Sequence, residues 1–260
     1  MSALFNLEGQ VAFLTGASRG LGVPMAKAIA AAGAHVVLAA RDRSRLDAVA
    51  AEIHGAGHKA SIEAFDLTDE DACIGAISNT VAEHGRLDIL VTNAGMNIWS
   101  PLEEATIEDW HTVFDTNLTA SYILCREASK TMIEKGYGRL VNVGSALSII
   151  GREKVHAYVA SKHGVGGLTR ALAADVGPHG VTCNALLPGY FRTEINKDLL
   201  AREGFEDSVN GRIAMRRWGE PEELAGVVLF MASPASSYMN GHMIVVDGGL
   251  TETFTTPPDI

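Results

Sequence analysis

The stretch Val11-Ala-Phe-Leu-Thr-Gly-Ala-Ser-Arg-Gly-Leu-Gly22 joins a short apolar run to a glycine-rich turn. The run is typical of a strand buried on both faces, and the residues from Gly22 to Ala32 predict a helix that Gly33 stops. Glycines let the turn bend tightly and approach a phosphate, while the helix N-terminus offers unpaired N–H groups and a positive dipole end. This order predicts a dinucleotide site formed by Gly16, Ser18, Arg19, Gly20, Leu21 and Gly22.

The rest of the chain continues the alternation of strand and helix. Further apolar runs predict strands at 35–39, 59–65, 88–91, 139–143, 181–187 and 243–246, with helices between them that include 106–117, 120–135 and 221–232. Such alternation produces a parallel sheet with right-handed crossovers. No linker, repeat or low-complexity block divides the chain. We therefore predict an α/β fold, a single doubly wound Rossmann-type domain over residues 1–260, with about seven strands and helices on both faces.

Composition narrows the partners and the compartment. The chain has 31 acidic and 21 basic side chains and a formal charge of −10, which argues against a broad nucleic-acid or anionic-membrane surface. Its three cysteines form no CxxC pair, no metal motif and no disulfide framework, as expected in a reducing cytosol. Neither a signal peptide nor a membrane span is recognisable. We expect a cytoplasmic protein without metal, nucleic-acid or membrane partners.

The end of the second strand predicts which nicotinamide cofactor is used. An acidic residue there would bond the adenosine ribose and repel a 2′-phosphate, but this chain has Ala40 followed by Arg41. Arg19 lies in the glycine turn, and two guanidinium groups converging on a phosphate would make charge-assisted contacts. The sequence thus favours NADP(H). The alternative is that both arginines are merely solvated surface residues.

Further cofactor contacts are expected after the third and fourth strands. Asp66 is a candidate acceptor for the adenine amino group, and Leu67 is positioned to pack against the ring. Asp66 has an alternative role as the cap of the next helix, a role that Thr68 could also fill. Asn93-Ala94-Gly95 is compact enough for its backbone to lie against the cofactor.

Ser145, Tyr158 and Lys162 form the predicted catalytic group. Tyr158 and Lys162 are four apart on a predicted helix, so they share a face, and Ser145 follows the strand that leads to that helix. Carbonyl reduction needs a proton for the forming alkoxide, and a nearby ammonium would lower the pKa of a tyrosine toward neutrality. Ser145 would hold the substrate oxygen, and Lys162 would also bond the nicotinamide ribose. The amide of Asn117 is expected to hold a water that links Lys162 to solvent.

These motifs together resemble the short-chain dehydrogenase/reductase family. The resemblance covers about residues 7–249 and includes Thr15-Gly-x-x-x-Gly-x-Gly22, Asn93-Ala-Gly95, Asn117, Ser145, Tyr158-x-x-x-Lys162 and Pro188-Gly189. It implies that Asn117, Ser145, Tyr158 and Lys162 are the catalytic residues, and that Tyr158, Lys162, Pro188, Gly189 and Thr193 line the cofactor site. It also implies a homotetramer, or a homodimer, assembled through the two long helices. Thr92 and Gly144 depart from the usual pattern, which has Asn and Ser there.

The substrate is indicated less directly. Residues 190–217 are predicted to be a mobile lid, and Arg152, Lys154, Arg192 and Lys197 surround the pocket mouth, which favours an anionic substrate if they are not simply solvated charges. Within the family, the chain is most similar to gluconate 5-dehydrogenases, which implies a keto sugar acid and its alcohol. The alternatives are a 3-oxoacyl thioester, a small cyclic ketone, and a non-catalytic NADP-binding regulator.

Overall fold

The computed structural model describes residues 3–254, apart from the side chains of residues 195, 198 and 199. Within this range the strands form one parallel sheet in the order β3-β2-β1-β4-β5-β6-β7. Their bounds are β1 Val11–Thr15, β2 His35–Ala40, β3 Lys59–Ala64, β4 Ile89–Thr92, β5 Gly138–Val143, β6 Val181–Pro188 and β7 Met243–Val246. The predicted seven-stranded, doubly wound parallel sheet is confirmed.

Helices cover both faces of this sheet. They are α1 Gly22–Ala31, α2 Arg43–Gly55, α3 Glu70–His84, α4 Ile107–Phe114, α5 Ala120–Lys135, α6 His156–Val176, α7 Lys197–Leu200, α8 Phe205–Asn210 and α9 Ala225–Ala232. The apolar side chains form one buried cluster that includes α1, α2 and α9, and a second that includes α3 and α5. Among the described residues, no helix is both long enough and apolar enough to cross a bilayer.

The order of the strands fixes where a ligand can bind. β1, β4, β5 and β6 are buried along their whole lengths, which explains their unbroken apolar runs. The chain runs from β1 outward to β3 and then returns to place β4 beside β1 on its other side. The carboxyl ends of β1 and β4 therefore flank the crevice where this class of sheet binds ligands.

Two predicted helices differ from those observed. The segment predicted as one helix over 106–117 is an α-helix only to Phe114, and Asp115–Thr119 then forms a π-helical turn that leads into α5. The wider turn contains Asn117, whose side chain is bonded to other parts of the chain. The segment predicted as a helix over 221–232 begins with a 3-10 turn, Pro221–Leu224, before α9.

The segment predicted as a lid is more regular than its sequence suggests. It contains α7 and α8, and Phe191 makes an isolated parallel bridge with Gly219. Val209 and Ile213 of this segment form a small buried cluster with Trp218. The segment thus has its own apolar support, and its mobility remains a prediction.

Candidate active site

The glycine turn after β1 has the backbone geometry that a phosphate loop needs. Gly20 adopts a φ of 61°, in the left-handed region that favours glycine. A Cβ on Gly22 would lie 2.1 Å from the carbonyl oxygen of Gly16, so no side chain fits there. The turn can therefore bring its backbone and the start of α1 close to a phosphate, and in this respect it fits a dinucleotide.

Asn93, after β4, ties this turn to the neighbouring strand. Its side-chain amide donates to the carbonyl oxygens of Thr15 (3.0 Å) and Gly16 (3.3 Å). In return, the Thr15 hydroxyl accepts from the backbone N–H groups of Asn93 and Ala94, both at 3.0 Å. The glycine turn after β1 and the loop after β4, both predicted to bind the cofactor, are thus held together by four hydrogen bonds.

A cavity of about 470 Å³ opens beside the glycine turn. Its walls include Ser18, Arg19, Gly20, Arg192, Thr193 and Glu194. Thr193 lies across from the turn, since a Cβ on Gly20 would be 3.8 Å from its methyl group. The side chain of Glu194 accepts a hydrogen bond of 3.1 Å from Arg45 on α2. This ion pair links the start of the lid segment to the side of the cleft where adenosine was predicted.

The end of β6 places the Pro188-Gly189 motif at the same edge of the sheet. The N–H of Gly189 donates to the carbonyl oxygen of Val246 at 2.9 Å. A Cβ on Gly189 would lie 2.7 Å from the Cα of Asp247, so the close passage of these two segments requires glycine. The motif thus directs the chain from β6 toward Thr193 and the cavity.

The two arginines predicted to select NADP(H) are both exposed beside the cleft. Arg41 lies 3.8 Å from a carboxylate oxygen of Asp66 and its side chain is 77% exposed, so this contact is weak. Arg19 has no ion-pair partner among the described residues. Neither guanidinium is committed to a structural ion pair, which leaves both available to a phosphate.

Asp66 does not cap a helix. Its carboxylate accepts from the N–H and the hydroxyl of Thr68, each at 2.9 Å, and these bonds lower its pKa. α3 is capped instead by Asp69, which accepts from the N–H of Ala72 at 3.0 Å. The capping alternative, for Asp66 and for Thr68, is therefore wrong. Leu67 is half-buried against the core, and the adenine contacts of both residues remain predictions.

Ser145, Tyr158 and Lys162 meet at the carboxyl end of β5. The Ser145 side chain lies near enough to the Tyr158 hydroxyl to favour a lower pKa for it. The Lys162 Nζ lies 5.7 Å from the centre of the Tyr158 ring. It donates to the carbonyl oxygen of Val143 at 2.8 Å, and only 3% of the residue is exposed. The predicted group is thus assembled in one place, although the structure does not test the role of each member.

The pKa shifts in this group differ from the sequence prediction. Burial lowers the pKa of Lys162 to about 8. Burial also raises the pKa of Tyr158, and the nearby Ser145 side chain opposes that rise without reversing it. The sequence predicts that Lys162 lowers the Tyr158 pKa, but removal of the phenol from water is the larger effect. Tyr158 is therefore protonated at neutral pH and ready to donate.

Asn117 has a different task from the one expected. Its amide nitrogen donates to the carbonyl oxygen of Met96 (2.9 Å) and to the hydroxyl of Ser161 (3.1 Å), and its oxygen accepts from the Met96 N–H (2.8 Å). Both amide hydrogens are used within the protein, so the amide is not a free water donor. Asn117 instead fastens the loop after β4 to α6. That loop passes so close that a Cβ on Gly95 would lie 3.4 Å from the Lys162 Nζ.

Two supporting serines were not predicted from the sequence. Ser148 accepts from the Ser145 N–H at 3.2 Å and donates to the carbonyl oxygen of Lys162 at 2.7 Å. Ser161 joins Asn117 to the carbonyl oxygen of Tyr158. The first had a visible signal, because Ser145-x-x-Ser148 is a capping-box spacing that follows a strand. The second had none, since its partner is 44 residues away.

The two departures from the family pattern have structural explanations. A Cβ on Gly144 would lie 2.3 Å from the Leu187 side chain and 2.8 Å from the Ser148 hydroxyl, so a serine there would require both side chains to shift. The Thr92 hydroxyl donates to the side-chain oxygen of Asn142 at 2.8 Å, in the buried centre of the sheet. Neither change disturbs the Ser145, Tyr158 and Lys162 group.

We expect Lys162→Met to stabilise the fold while it removes the ammonium. A lowered pKa means that the folded state disfavours the charged form, so the cost is complete below about pH 8 and fades as pH rises toward 10.5, the ordinary value. Allowing for the lost bond to Val143, the free energy of unfolding should rise by about 1 to 2 kcal/mol at pH 7. Urea unfolding at pH 7 and pH 10 measures this.

The exposed Lys59 provides the matched control. Lys59→Met should change the free energy of unfolding by no more than about 0.5 kcal/mol at either pH. A loss of stability in Lys162→Met that is equal at both pH values would contradict a buried ammonium.

This doubly wound sheet, with its glycine turn and its serine, tyrosine and lysine beside one crevice, defines a Rossmann-fold oxidoreductase. A family model described as enoyl-(acyl carrier protein) reductase matches residues 16–251. The chain belongs to the short-chain dehydrogenase/reductase family. The family resemblance inferred from the motifs is thereby confirmed.

Its relatives include sugar-acid and acyl reductases. It is 42% identical over 248 residues to the gluconate 5-dehydrogenase of Gluconobacter oxydans, a match that covers 95% of this chain and 97% of the relative. It is 37% identical to the 3-oxoacyl-[acyl-carrier-protein] reductase of Synechocystis over 94% of this chain and 98% of that one. A gluconate 5-dehydrogenase from Burkholderia cenocepacia, crystallised with NADP and tartrate, superposes with a TM-score of 0.93 at 35% identity, covering 97% of this chain and 99% of the other.

Proposed function

We propose that the protein is an NADP(H)-dependent oxidoreductase that interconverts a keto sugar acid and the corresponding hydroxy acid. The observation that carries the proposal is the assembly of Ser145, Tyr158 and Lys162 next to the glycine turn. The relatives named for gluconate and for 5-keto-D-gluconate support the substrate class. A non-catalytic regulator is disfavoured because such a protein would have no need of a buried lysine beside the half-buried Tyr158.

When bound, the cofactor would supply or accept the hydride at the substrate carbon. Its pyrophosphate would lie on the glycine turn from Gly16 to Gly22, and Arg19 and Arg41 would bind the 2′-phosphate. Asp66, Leu67 and the Asn93-Ala94-Gly95 loop would contact the adenosine end and the middle of the cofactor. Pro188, Gly189 and Thr193 would contact the nicotinamide end, and the Lys162 ammonium would bond its ribose.

The protein's own residues would then move the proton. In the reducing direction the Tyr158 hydroxyl donates its proton to the substrate oxygen, which the Ser145 hydroxyl holds by a hydrogen bond. The Lys162 ammonium stabilises the phenolate that remains, because opposite charges in a buried site interact strongly. Asn117 acts as a positioning residue, since it holds the loop that borders Lys162.

A substrate panel tests this function. Steady-state rates with NADPH should give 5-ketogluconate a kcat/KM at least roughly tenfold above those of an acetoacetyl thioester and a cyclohexanone derivative, since one well-made polar contact is worth that factor. A clear preference for the thioester would contradict the sugar-acid substrate and favour an acyl thioester reductase, like the Synechocystis relative.

We also propose a homotetramer, with a homodimer as the simpler alternative, located in the cytoplasm. α4 and α5 expose the large apolar side chains of Ile107, Trp110, Tyr122 and Ile133, which is typical of a helix pair that packs against another subunit. The three cysteines are buried free thiols, as expected for a protein of a reducing compartment. Light scattering on the purified protein would measure the assembly.

A further inference from the structure

Arg152, in the loop between β5 and α6, is held by aromatic rings from three separate segments. Its guanidinium carbon lies 5.7 Å from the ring centre of Phe205, 5.8 Å from that of Tyr190 and 6.0 Å from that of Trp99. Trp218 supports two of these rings, with centres 4.9 Å from Tyr190 and 6.4 Å from Phe205. Planar guanidinium groups interact favourably with such faces, so the rings limit where the charge can move.

Arg152 differs from Arg192 and Arg217 in having no carboxylate partner among the described residues. Arg192, the other candidate from the sequence, is paired with Glu206 and lies 3.5 Å from Glu220. Arg217 is paired with Glu223. Residue Arg152 is half-buried, and a half-buried cation with no counter-charge favours an anionic ligand.

The cage lies next to the proton donor. Tyr190, one of its three rings, is close enough to Tyr158 that its charge would raise the Tyr158 pKa. The guanidinium of Arg152 lies 5.8 Å from the centre of the same Tyr190 ring. Tyr190 is therefore a neighbour both of the proton donor and of the guanidinium, which puts the cage beside the catalytic group.

The loop that presents Arg152 is fixed in an unusual conformation. Lys154 has a φ of 64°, in the left-handed region that costs free energy for a residue other than glycine. Its carbonyl oxygen accepts from the N–H of Ser100 at 3.0 Å, and the next residue, Val155, is fully buried. The loop is thus pinned to the segment that contributes Trp99.

Two further cations increase the positive potential at this place. The guanidinium of Arg202 lies 4.5 Å from the ring centre of Trp99, and the ammonium of Lys154 lies 5.7 Å from it. The chain as a whole has a net charge of −10, so three cations around the Trp99 indole make this part of the surface locally positive. Such a field would draw an anion toward the cage.

We infer that Arg152, held between Trp99, Tyr190 and Phe205, binds the carboxylate of the substrate and so determines the specificity of the enzyme for acids. The inference rests on the proposed function and adds to it the group that recognises the acid. Arg202 and Lys154 attract the anion, whereas Arg152 contacts it.

The test compares an acid with the same molecule lacking the charge. For the wild-type enzyme, kcat/KM with 5-ketogluconate should exceed that with its methyl ester by roughly 10- to 100-fold, the worth of a charge-assisted contact. Arg152→Ala should abolish this preference by lowering the value for the acid, while the value for the ester stays within about threefold. Arg152→Lys, which keeps the charge, should retain part of the preference.

Arg202→Ala is the matched control, because it removes one cation from the same indole without touching the proposed carboxylate contact. Because Arg202 is assigned only to the local field, its loss should lower the acid-to-ester ratio by no more than about threefold, well short of the loss in Arg152→Ala. Equal losses for acid and ester in Arg152→Ala would show a structural role and overturn the inference, as would an unchanged ratio. A wild-type enzyme that does not turn over the acid at all would instead overturn the proposed function.

Discussion

Tyr158→Phe is expected to lower kcat by about 10³-fold in both directions of the reaction. The change removes only the hydroxyl that lies near Ser145, and general acid–base catalysis by a positioned group accounts for roughly 10² to 10⁴ in rate. Since the ring remains, its packing beside Lys162 is preserved. Steady-state rates with 5-ketogluconate and NADPH, and with gluconate and NADP, measure the loss.

Cofactor affinity provides the control for this variant. Because the hydroxyl is proposed to act on the substrate oxygen, the Kd for NADPH from a fluorescence titration should stay within about threefold of wild type. A Tyr158→Phe enzyme that keeps its turnover within tenfold on every carbonyl would remove Tyr158 from the mechanism and place the proton donor elsewhere.

Arg41→Ala is expected to raise the Kd for NADPH by about tenfold, and the double variant with Arg19→Ala by about 100-fold. The estimate takes the lower end of the range for charge-assisted hydrogen bonds, since both residues are exposed and Arg41 must leave Asp66 at 3.8 Å. The Kd for NADH, which has no 2′-phosphate, should change by less than about threefold. Titration of each variant with both cofactors gives the comparison.

Arg43, two positions further along, is the matched control for charge. It is exposed at the start of α2, so Arg43→Ala lowers the net charge by the same amount as Arg41→Ala. Arg43→Ala should change the Kd values for NADPH and NADH equally and only slightly, because salt screens the attraction between a distant exposed charge and the cofactor. If Arg41→Ala weakened NADPH and NADH to the same extent, the phosphate contact would be refuted.

The parts of the molecule that sequence reasoning predicted correctly are those with local causes. The strand, the glycine turn and α1 follow from residues 11–32, and the spacing of Tyr158 and Lys162 places both on one face of α6. The doubly wound parallel sheet also follows from the alternation of strands and helices along the chain.

The parts that were missed depend on contacts between distant residues. The π-helical turn exists where Asn117 bonds Met96, and no periodicity in α4 or α5 signals that bond. The sequence likewise does not distinguish Arg152 from Arg192 as a candidate for binding an anionic substrate. The two glutamates that pair with Arg192 lie 14 and 28 positions away from it in the chain, so the pairing has no local signal. Burial is the largest cause of the raised Tyr158 pKa, and the sequence alone does not show how far the hydroxyl is removed from water.

The π-helical turn at Asp115–Thr119 also affects how this region tolerates insertions and deletions. Each residue added to a helix rotates everything beyond it by about 100°. Removing one residue from the turn would make α4 and α5 a single regular helix, and it would swing either the apolar face of α5 or the Asn117 amide away from its partner. With the π-helical turn, the α5 side chains pack into the core while the Asn117 amide still reaches Met96. A chain shortened by one residue in the turn would keep only one of these two contacts.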